Sequence, residues 1–289
     1  MKLEAGTKEW ARVERKAPFG YFVSIENTDV LLHESDVVEA PEIGDDITVY
    51  LYHDHQDRLA ATQMEPHVLL GDFGWLEVVD IHPRMGAFLD NGIRKDVLLP
   101  ADQLPELKSK WPKSGDRVYI QLEHDKQGRL LAVLGREEDF EEIAEPATPD
   151  LFNQDISGYV YKIIKIGAFI MTEGQHLAFL HRDETKEELR VGQLLEARVS
   201  KVRDDGRLNL STKPRKEVSY SQDAEMIYAY VKQRGGRMPY TDKTAPDVIL
   251  DKFGISKAAF KRALGKLMKE RRVNQEDGWT YIAPGDTEQ

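Results

Sequence analysis

There is no cysteine among the 289 residues, which removes disulfides, thiol nucleophiles and every thiolate metal site. Long apolar runs are missing too: none approaches the ~20 residues of a membrane-spanning helix, so no membrane partner is expected. The opening MKLEAGTKEW has no apolar core and no small-residue cleavage site, and no secretory signal is expected there. No phosphate-binding loop, dinucleotide fingerprint or nucleophile elbow occurs. Carboxylates are numerous but scattered and define no acid–base pair. His53 and His55 share a strand face without a nearby third ligand. No cofactor, no metal and no enzymatic activity are therefore expected, and a cytoplasmic location fits best.

Positive charge is scarce until late in the chain. Residues 1–212 hold 25 Lys and Arg against 40 Asp and Glu, a net −15. Residues 213–272 hold 15 against 7, a net +8, and the remaining tail carries −4. Only the C-terminal part has the electrostatic footprint of a nucleic-acid binder. The alternative is a solvated acidic surface with a basic C-terminal domain.

What is present is a pattern repeated three times. FGYFVS at 19–24 returns as MGAFLD at 85–90 and IGAFIM at 166–171. Each copy is preceded by an apolar strand (WARVER, LEVVDI, GYVYKI) and followed by VLLHESD, VLLPADQ or AFLHRDE. Gly44, Gly115 and Gly192 then introduce further β-rich runs, each closed by a polar turn and an Arg-Leu pair. Each copy reads as five short alternating strands in about 60–70 residues, which suits a small closed barrel of the OB type. The domains expected are barrel one over 1–65, barrel two over 66–136, an acidic linker over 137–150, barrel three over 151–213 and a further domain over 217–284. The linker, EEDFEEIAEPATPD, reads as a solvated spacer. The more apolar junction MEPHVLLGDFGW, at 64–75, leads us to expect barrels one and two to pack together.

Strand parity places Tyr21 and Val23, Ala87 and Leu89, and Ala168 and Ile170 on the core side. Phe22, Phe88 and Phe169 then face outward, either to solvent or against a neighbouring barrel. Phe19 would fall on the opposite side from Phe22 in a plain strand. A bend at Gly20 would bring it round to join Phe22.

These motifs resemble the S1 RNA-binding domain, a subtype of the OB-fold. The resemblance implies one nucleic-acid face per barrel, made by two Phe, a His, an Asp and an Arg. Barrel one matches throughout, with Phe19, Phe22, His33, Asp54 and Arg58. Barrel two keeps Phe88, Asp125 and Arg129 but has Met85 and Pro100 at the other positions. Barrel three keeps Phe169, His181 and Arg207 but has Ile166 and Arg203. Exposed rings stack on bases of any sequence, at ~1–3 kcal/mol per base. Arginine supplies a phosphate fork or a planar stack. Asp54 cannot attract phosphate, so it either orients Arg58 or accepts from a base edge or a 2′-hydroxyl.

After STKPRKEVSYS (211–221) the apolar period changes from two to 3.6. A helix capped by Ser221 and stopped by Gly235-Gly236 is expected, then one capped by Thr244 with Pro246 in its first turn and Gly254 as its stop. A third starts at Ser256, with Phe260, Ala263, Leu264, Leu267 and Met268 as one stripe. A hairpin around Asp277-Gly278 follows. Three helices and a hairpin make a winged helix, whose third helix presents Lys257, Lys261, Arg262, Lys266 and Lys269. Its partner is DNA, RNA or a protein.

Three S1-like barrels followed by a winged helix resemble the conserved virulence factor B family of bacterial proteins, notably in DGRLNLS (205–211) and SKAAFKRALGKL (256–267). The fold expected is thus mainly β with a C-terminal α+β domain. The function implied is a non-enzymatic protein binding single-stranded RNA, chiefly through barrel one, and acting on RNA stability or translation. The alternative is a protein scaffold or adaptor on the ribosome or RNA polymerase.

Overall fold

Alternating apolar residues close each repeat into a barrel. In a computed structural model describing residues 3–214 and 216–283, barrel one comprises β1 (Lys8–Ala17), β2 (Gly20–Ile25), β3 (Thr28–His33), β4 (Asp46–His53) and β5 (Leu59–Thr62). Barrel two comprises β6 (Phe73–His82), β7 (Gly86–Asp90), β8 (Val97–Pro100), β9 (Arg117–His124) and β10 (Leu130–Leu134). After a short helix α1 (Glu137–Glu142), barrel three comprises β11 (Asp155–Ile164), β12 (Gly167–Thr172), β13 (Leu177–His181), β14 (Leu194–Val202) and β15 (Leu208–Ser211). All three share one topology. The first strand pairs antiparallel with the second and the fourth, and the third lies parallel to the fifth. The inward residues expected from parity are buried, among them Val23, Leu89 and Ile170.

Two local features shape every barrel. The first strand carries a bulge at the same place, between Val13 and Arg15, Val78 and Asp80, and Val160 and Lys162. The extra residue turns the strand so that it serves both sides of the barrel. The glycine opening the second strand lies against the third: a Cβ on Gly20, Gly86 or Gly167 would sit 2.2, 2.0 or 2.3 Å from a backbone carbonyl oxygen. Gly20 and Gly86 also have φ of +145° and +128°, which side chains rarely adopt.

The barrels up to Thr212 form one compact unit. Tyr50, Tyr52 and Ala60 of barrel one pack with Ile93 and Leu130 of barrel two, as the apolar junction suggested. Val191 of barrel three sits in the core of barrel two, and Arg190 forks onto the buried Asp116 at 2.7 and 2.8 Å. The solvated spacer expected over 137–150 is corrected. Phe140 on α1 is only 1% exposed, packed among Tyr119, Met171 and Leu177, and Ala147 joins the core of barrel three. The acidic residues are solvated, but the apolar ones bind the two barrels together.

The second unit runs from Lys213. It contains α2 (Lys216–Gln233), β16 (Arg237–Met238), α3 (Pro246–Phe253), α4 (Lys257–Lys269), β17 (Val273–Glu276) and β18 (Trp279–Ile282). The three strands form a small sheet in the order β16-β18-β17, and the helices pack around Ile227, Phe253, Phe260 and Leu264. Four expectations change here. Helix α2 begins upstream of Ser221, whose side chain lies outside the described residues, as does the expected boundary at 284. Thr244 does not cap α3. Its hydroxyl accepts from the Thr241 amide, closing a turn, and Ala245 takes the cap position. Met268 leaves the apolar stripe and is exposed. The strand β16 was not foreseen. Ser256 does cap α4, accepting from the Ala259 amide, and Gly254 ends α3 with φ +66°.

Candidate nucleic-acid interface

The register of the second and third strands builds the candidate face of each barrel. In barrel one Gly20 pairs with His33 and Phe22 with Leu31. Phe19, just before the strand, swings to the side of Phe22, and the rings meet edge to face at 6.2 Å and 75°. Phe19 is 44% exposed. The His33 ring is fixed by its own turn: Nδ1 accepts from the Ser35 amide at 3.2 Å and lies 2.7 Å from the Ser35 hydroxyl. In the turn between β4 and β5, Asp54 and Arg58 pair. Arg58 Nε and a terminal nitrogen donate to Asp54 Oδ2 at 2.9 and 2.6 Å, while Oδ1 accepts from the Gln56 and Arg58 amides. Burial alone would raise the Asp54 carboxyl, but these hydrogen bonds outweigh it and hold the group below the usual carboxylate range. Asp54 therefore stays charged and positions the guanidinium.

Barrel two repeats the turn: Arg129 Nε donates to Asp125 Oδ2 at 2.8 Å, and the Asp125 carboxyl is likewise held low against the opposing effect of burial. Met85, Phe88, Pro100, Asp125 and Arg129 converge on one cavity of about 420 Å³. Its opposite wall belongs to barrel one.

Barrel three differs because Arg203 replaces the aspartate. Arg203 pairs instead with Asp205 at 2.9 Å. The Arg207 amide donates to Asp205 Oδ1 at 3.1 Å, while its guanidinium bonds to Glu141 on α1 and lies 3.9 Å from Glu137. Helix α1 also reaches the face by Lys162–Glu137 at 2.9 Å and by Phe140 stacked on Tyr161 at 3.9 Å. Burial pushes the Tyr161 hydroxyl up, and the Glu137 charge adds to the shift. From Tyr161 an aromatic row continues through Phe169 and Phe179 to His181. Ile166, Phe169, Phe179, Arg203 and Arg207 share a cavity of about 210 Å³.

Sequence reasoning missed two positions in each face. The outward residue of the third strand, Leu31, Leu98 or Phe179, lies beside the platform ring. Parity could have found it, two residues before His33, Pro100 and His181. The other is the residue after the bulge in the first strand, which pairs with the platform ring: Arg15, Asp80 and Lys162. Arg15 lies directly over Phe22, 3.5 Å from its centroid, and Lys162 sits 5.6 Å from Phe169.

In the second unit, Lys261, Arg262 and Lys269 are exposed on α4, while Lys257 and Lys266 are half-buried. Lys266 pairs with Glu270 at 3.8 Å and Lys261 approaches Asp242 at 4.0 Å. On the wing, Arg237 stacks over Trp279 at 5.4 Å. Among the described residues no cluster of three or more His, Asp or Glu could hold a metal, and no helix is long and apolar enough to cross a membrane.

Comparison with known proteins matches every domain. Residues 5–64 match a family model described as an S1 domain and 73–133 the CvfB first S1-like domain. Residues 140–214 match the second domain of virulence regulatory factor CvfB, and 225–282 the CvfB-like winged helix domain. The Bacillus subtilis protein YitL is 43% identical over 96% of this chain and 94% of its own length. Conserved virulence factor B of Staphylococcus epidermidis is 32% identical over 86% of this chain and 84% of its own. A Streptococcus pneumoniae crystal structure, described as a multidomain protein with nucleic acid binding domains, superposes with a TM-score of 0.67. That chain is 36% identical, and the match covers 96% of this chain and 98% of that one. Three S1-like barrels and a winged helix, both nucleic-acid-binding folds, together with these relatives, make this chain a member of the conserved virulence factor B family.

Proposed function

We propose that the protein binds single-stranded RNA in the cytoplasm, chiefly on barrel one, and acts without catalysis on RNA stability or translation. The observation that carries this is the Phe19–Phe22 ring pair, with His33 beside it and Arg58 held by Asp54 on the same barrel. Because Arg15 covers one face of Phe22, the stacking surface is Phe19 together with the Arg15 guanidinium plane. Bases stack on guanidinium planes as they do on rings. With −15 on residues 1–212, phosphate neutralisation contributes little and affinity is modest. The exposed lysines of α4 supply a second, basic surface, for RNA, DNA or a protein partner.

The test is fluorescence anisotropy with single-stranded RNA and DNA, comparing the full chain with Phe19→Ala/Phe22→Ala/Arg58→Ala. RNA affinity falls at least tenfold in the triple variant if barrel one is the platform. Unchanged affinity refutes that site. Lys261→Glu/Lys269→Glu reports separately on α4. A protein-docking role on ribosome or RNA polymerase is the second reading. It is favoured by Trp10, 74% exposed on β1, since tryptophan often anchors protein interfaces.

A further inference from the structure

The loop joining the second and third strands is short in barrels one and three, spanning 26–27 and 173–176, but runs over 91–96 in barrel two. Its base is locked in place. Asn91 is fully buried, with Oδ1 accepting from the Val68 amide and Nδ2 donating to the Val68 carbonyl. Gly92, at φ +78°, fits closely: a Cβ there would sit 2.6 Å from the Glu65 carbonyl oxygen. A loop seated in this way is a fixed arm.

The arm reaches barrel one with consecutive residues. Ile93 packs with Tyr50, Tyr52 and Ala60 and supplies apolar contact between the barrels. Arg94 Nε donates to the Ser35 carbonyl at 2.6 Å. Lys95 Nζ donates to the Asp54 carbonyl at 3.1 Å. Each cation thus bonds to the backbone of a turn that carries a polar residue of the barrel-one face.

The first of these turns sets His33. The Ser35 amide can only donate, and it points to His33 Nδ1 at 3.2 Å, so the neutral ring carries its hydrogen on Nε2. The Ser35 hydroxyl lies 2.7 Å from the same Nδ1. On its inner side the turn rests on the buried Asp36, whose Oδ2 accepts from the Tyr52 hydroxyl at 3.2 Å. Arg94 holds it from the other barrel. That tautomer offers the Nε2 hydrogen to an acceptor such as a phosphate oxygen.

The second turn sets Arg58. Asp54 fixes the guanidinium through Oδ2, and its Oδ1 is fixed by the Gln56 and Arg58 amides. Lys95 holds the main chain of that same aspartate. One loop of barrel two therefore grips both turns.

We propose that Arg94 and Lys95 of barrel two are positioning residues for the RNA-binding face of barrel one. Arg94 holds the turn that orients His33, and Lys95 the turn that orients Arg58. Barrel one supplies the side chains of its face, yet two of them are aimed from outside it. The inference rests on the RNA-binding reading and adds that barrel one is not self-sufficient.

The test uses the full chain, a twelve-residue oligo(U), and the variants Arg94→Ala, Arg94→Gln and Lys95→Ala. Glutamine places Nε2 at the same point along the side chain as arginine Nε, so Arg94→Gln keeps a donor and removes the charge. We expect Arg94→Ala and Lys95→Ala each to weaken RNA binding about 2- to 12-fold, the worth of one hydrogen bond. Arg94→Ala should add nothing once His33→Ala is present, nor Lys95→Ala once Arg58→Ala is present. Arg94→Gln should bind as the wild type does. Without RNA, long-range proton–nitrogen correlation spectra should show one His33 tautomer in the wild type and in Arg94→Gln, and an averaged ring in Arg94→Ala. Additive losses in the double variants overturn positioning in favour of direct phosphate contacts by Arg94 and Lys95. An equal loss in Arg94→Gln and Arg94→Ala does the same. An unchanged His33 ring in Arg94→Ala overturns the clamp even where RNA affinity falls. No RNA binding by the wild type overturns the functional reading itself.

Discussion

The contacts of α1 make barrel three testable. Glu137 and Glu141 hold Lys162 and Arg207, two of the cations on the aromatic face of that barrel. The perturbation is Glu137→Gln with Glu141→Gln, which keeps size and removes both charges. The pairs are partly exposed, so each contributes less than about 1 kcal/mol to stability, and losing Glu137 from the first helical turn costs a further ~0.3–1 kcal/mol. Phe140 remains buried and holds the helix in place. The variant should therefore fold, with a Tm only a few degrees lower. Freed Lys162 and Arg207 can each neutralise a phosphate. The log-affinity against log-salt slope for single-stranded RNA should steepen by up to about 1.4, from a wild-type value no steeper than about −5. Affinity near physiological salt should rise roughly three- to tenfold. Anisotropy titrations over a salt series measure both. Glu138→Gln with Glu142→Gln, on the same helix and with the same change in net charge, is the control. If test and control variants share slope and affinity, α1 does not screen barrel three and the reasoning fails.

Other outcomes follow from local geometry. Gly20→Ala drives a Cβ to 2.2 Å from the Leu32 carbonyl, so barrel one should lose about 3 kcal/mol or more, read by chemical denaturation. Arg190→Ala leaves the buried Asp116 unpaired at the junction of barrels two and three; a loss of about 2–4 kcal/mol is expected, discounted from the fully buried case because Arg190 is partly exposed. Asp54 has a depressed carboxyl pKa in the fold, so its contribution is present at neutral pH and is lost as pH falls through the folded value. Asp54→Asn should thus be less stable than wild type at pH 7, with the gap closing below about pH 4, where an unfolded aspartate also protonates.

Much of the architecture was legible because glycine and parity carry hard constraints. The Phe-Gly motif marks where the third strand presses on the second, and the alternation after Gly20 names Tyr21 and Val23 as core. The bulge was not legible. Glu14, Val79 and Tyr161 share no residue type, and the insertion shifts parity by one, which hid Arg15 and Lys162 beside their rings. The role of residues 137–150 was hidden by charge. Phe140, Ile143, Ala144 and Ala147 are spaced as one helical stripe, but the surrounding glutamates read as a spacer. The inter-barrel cleft was out of reach, since no spacing in the chain says that β4 of barrel one faces β7 of barrel two.

The seating of Val191 in the core of barrel two bears on how the molecule can be taken apart. A fragment ending near residue 136 would lose that side chain together with the Arg190 fork and the Phe140 wedge. It would expose apolar surface and a bare aspartate where a neighbour had been. Weak RNA binding by such a fragment would report a damaged barrel two rather than a missing barrel three. The natural cut lies at Thr212, between the two compact units, and within residues 1–212 function is better divided by point substitution than by truncation.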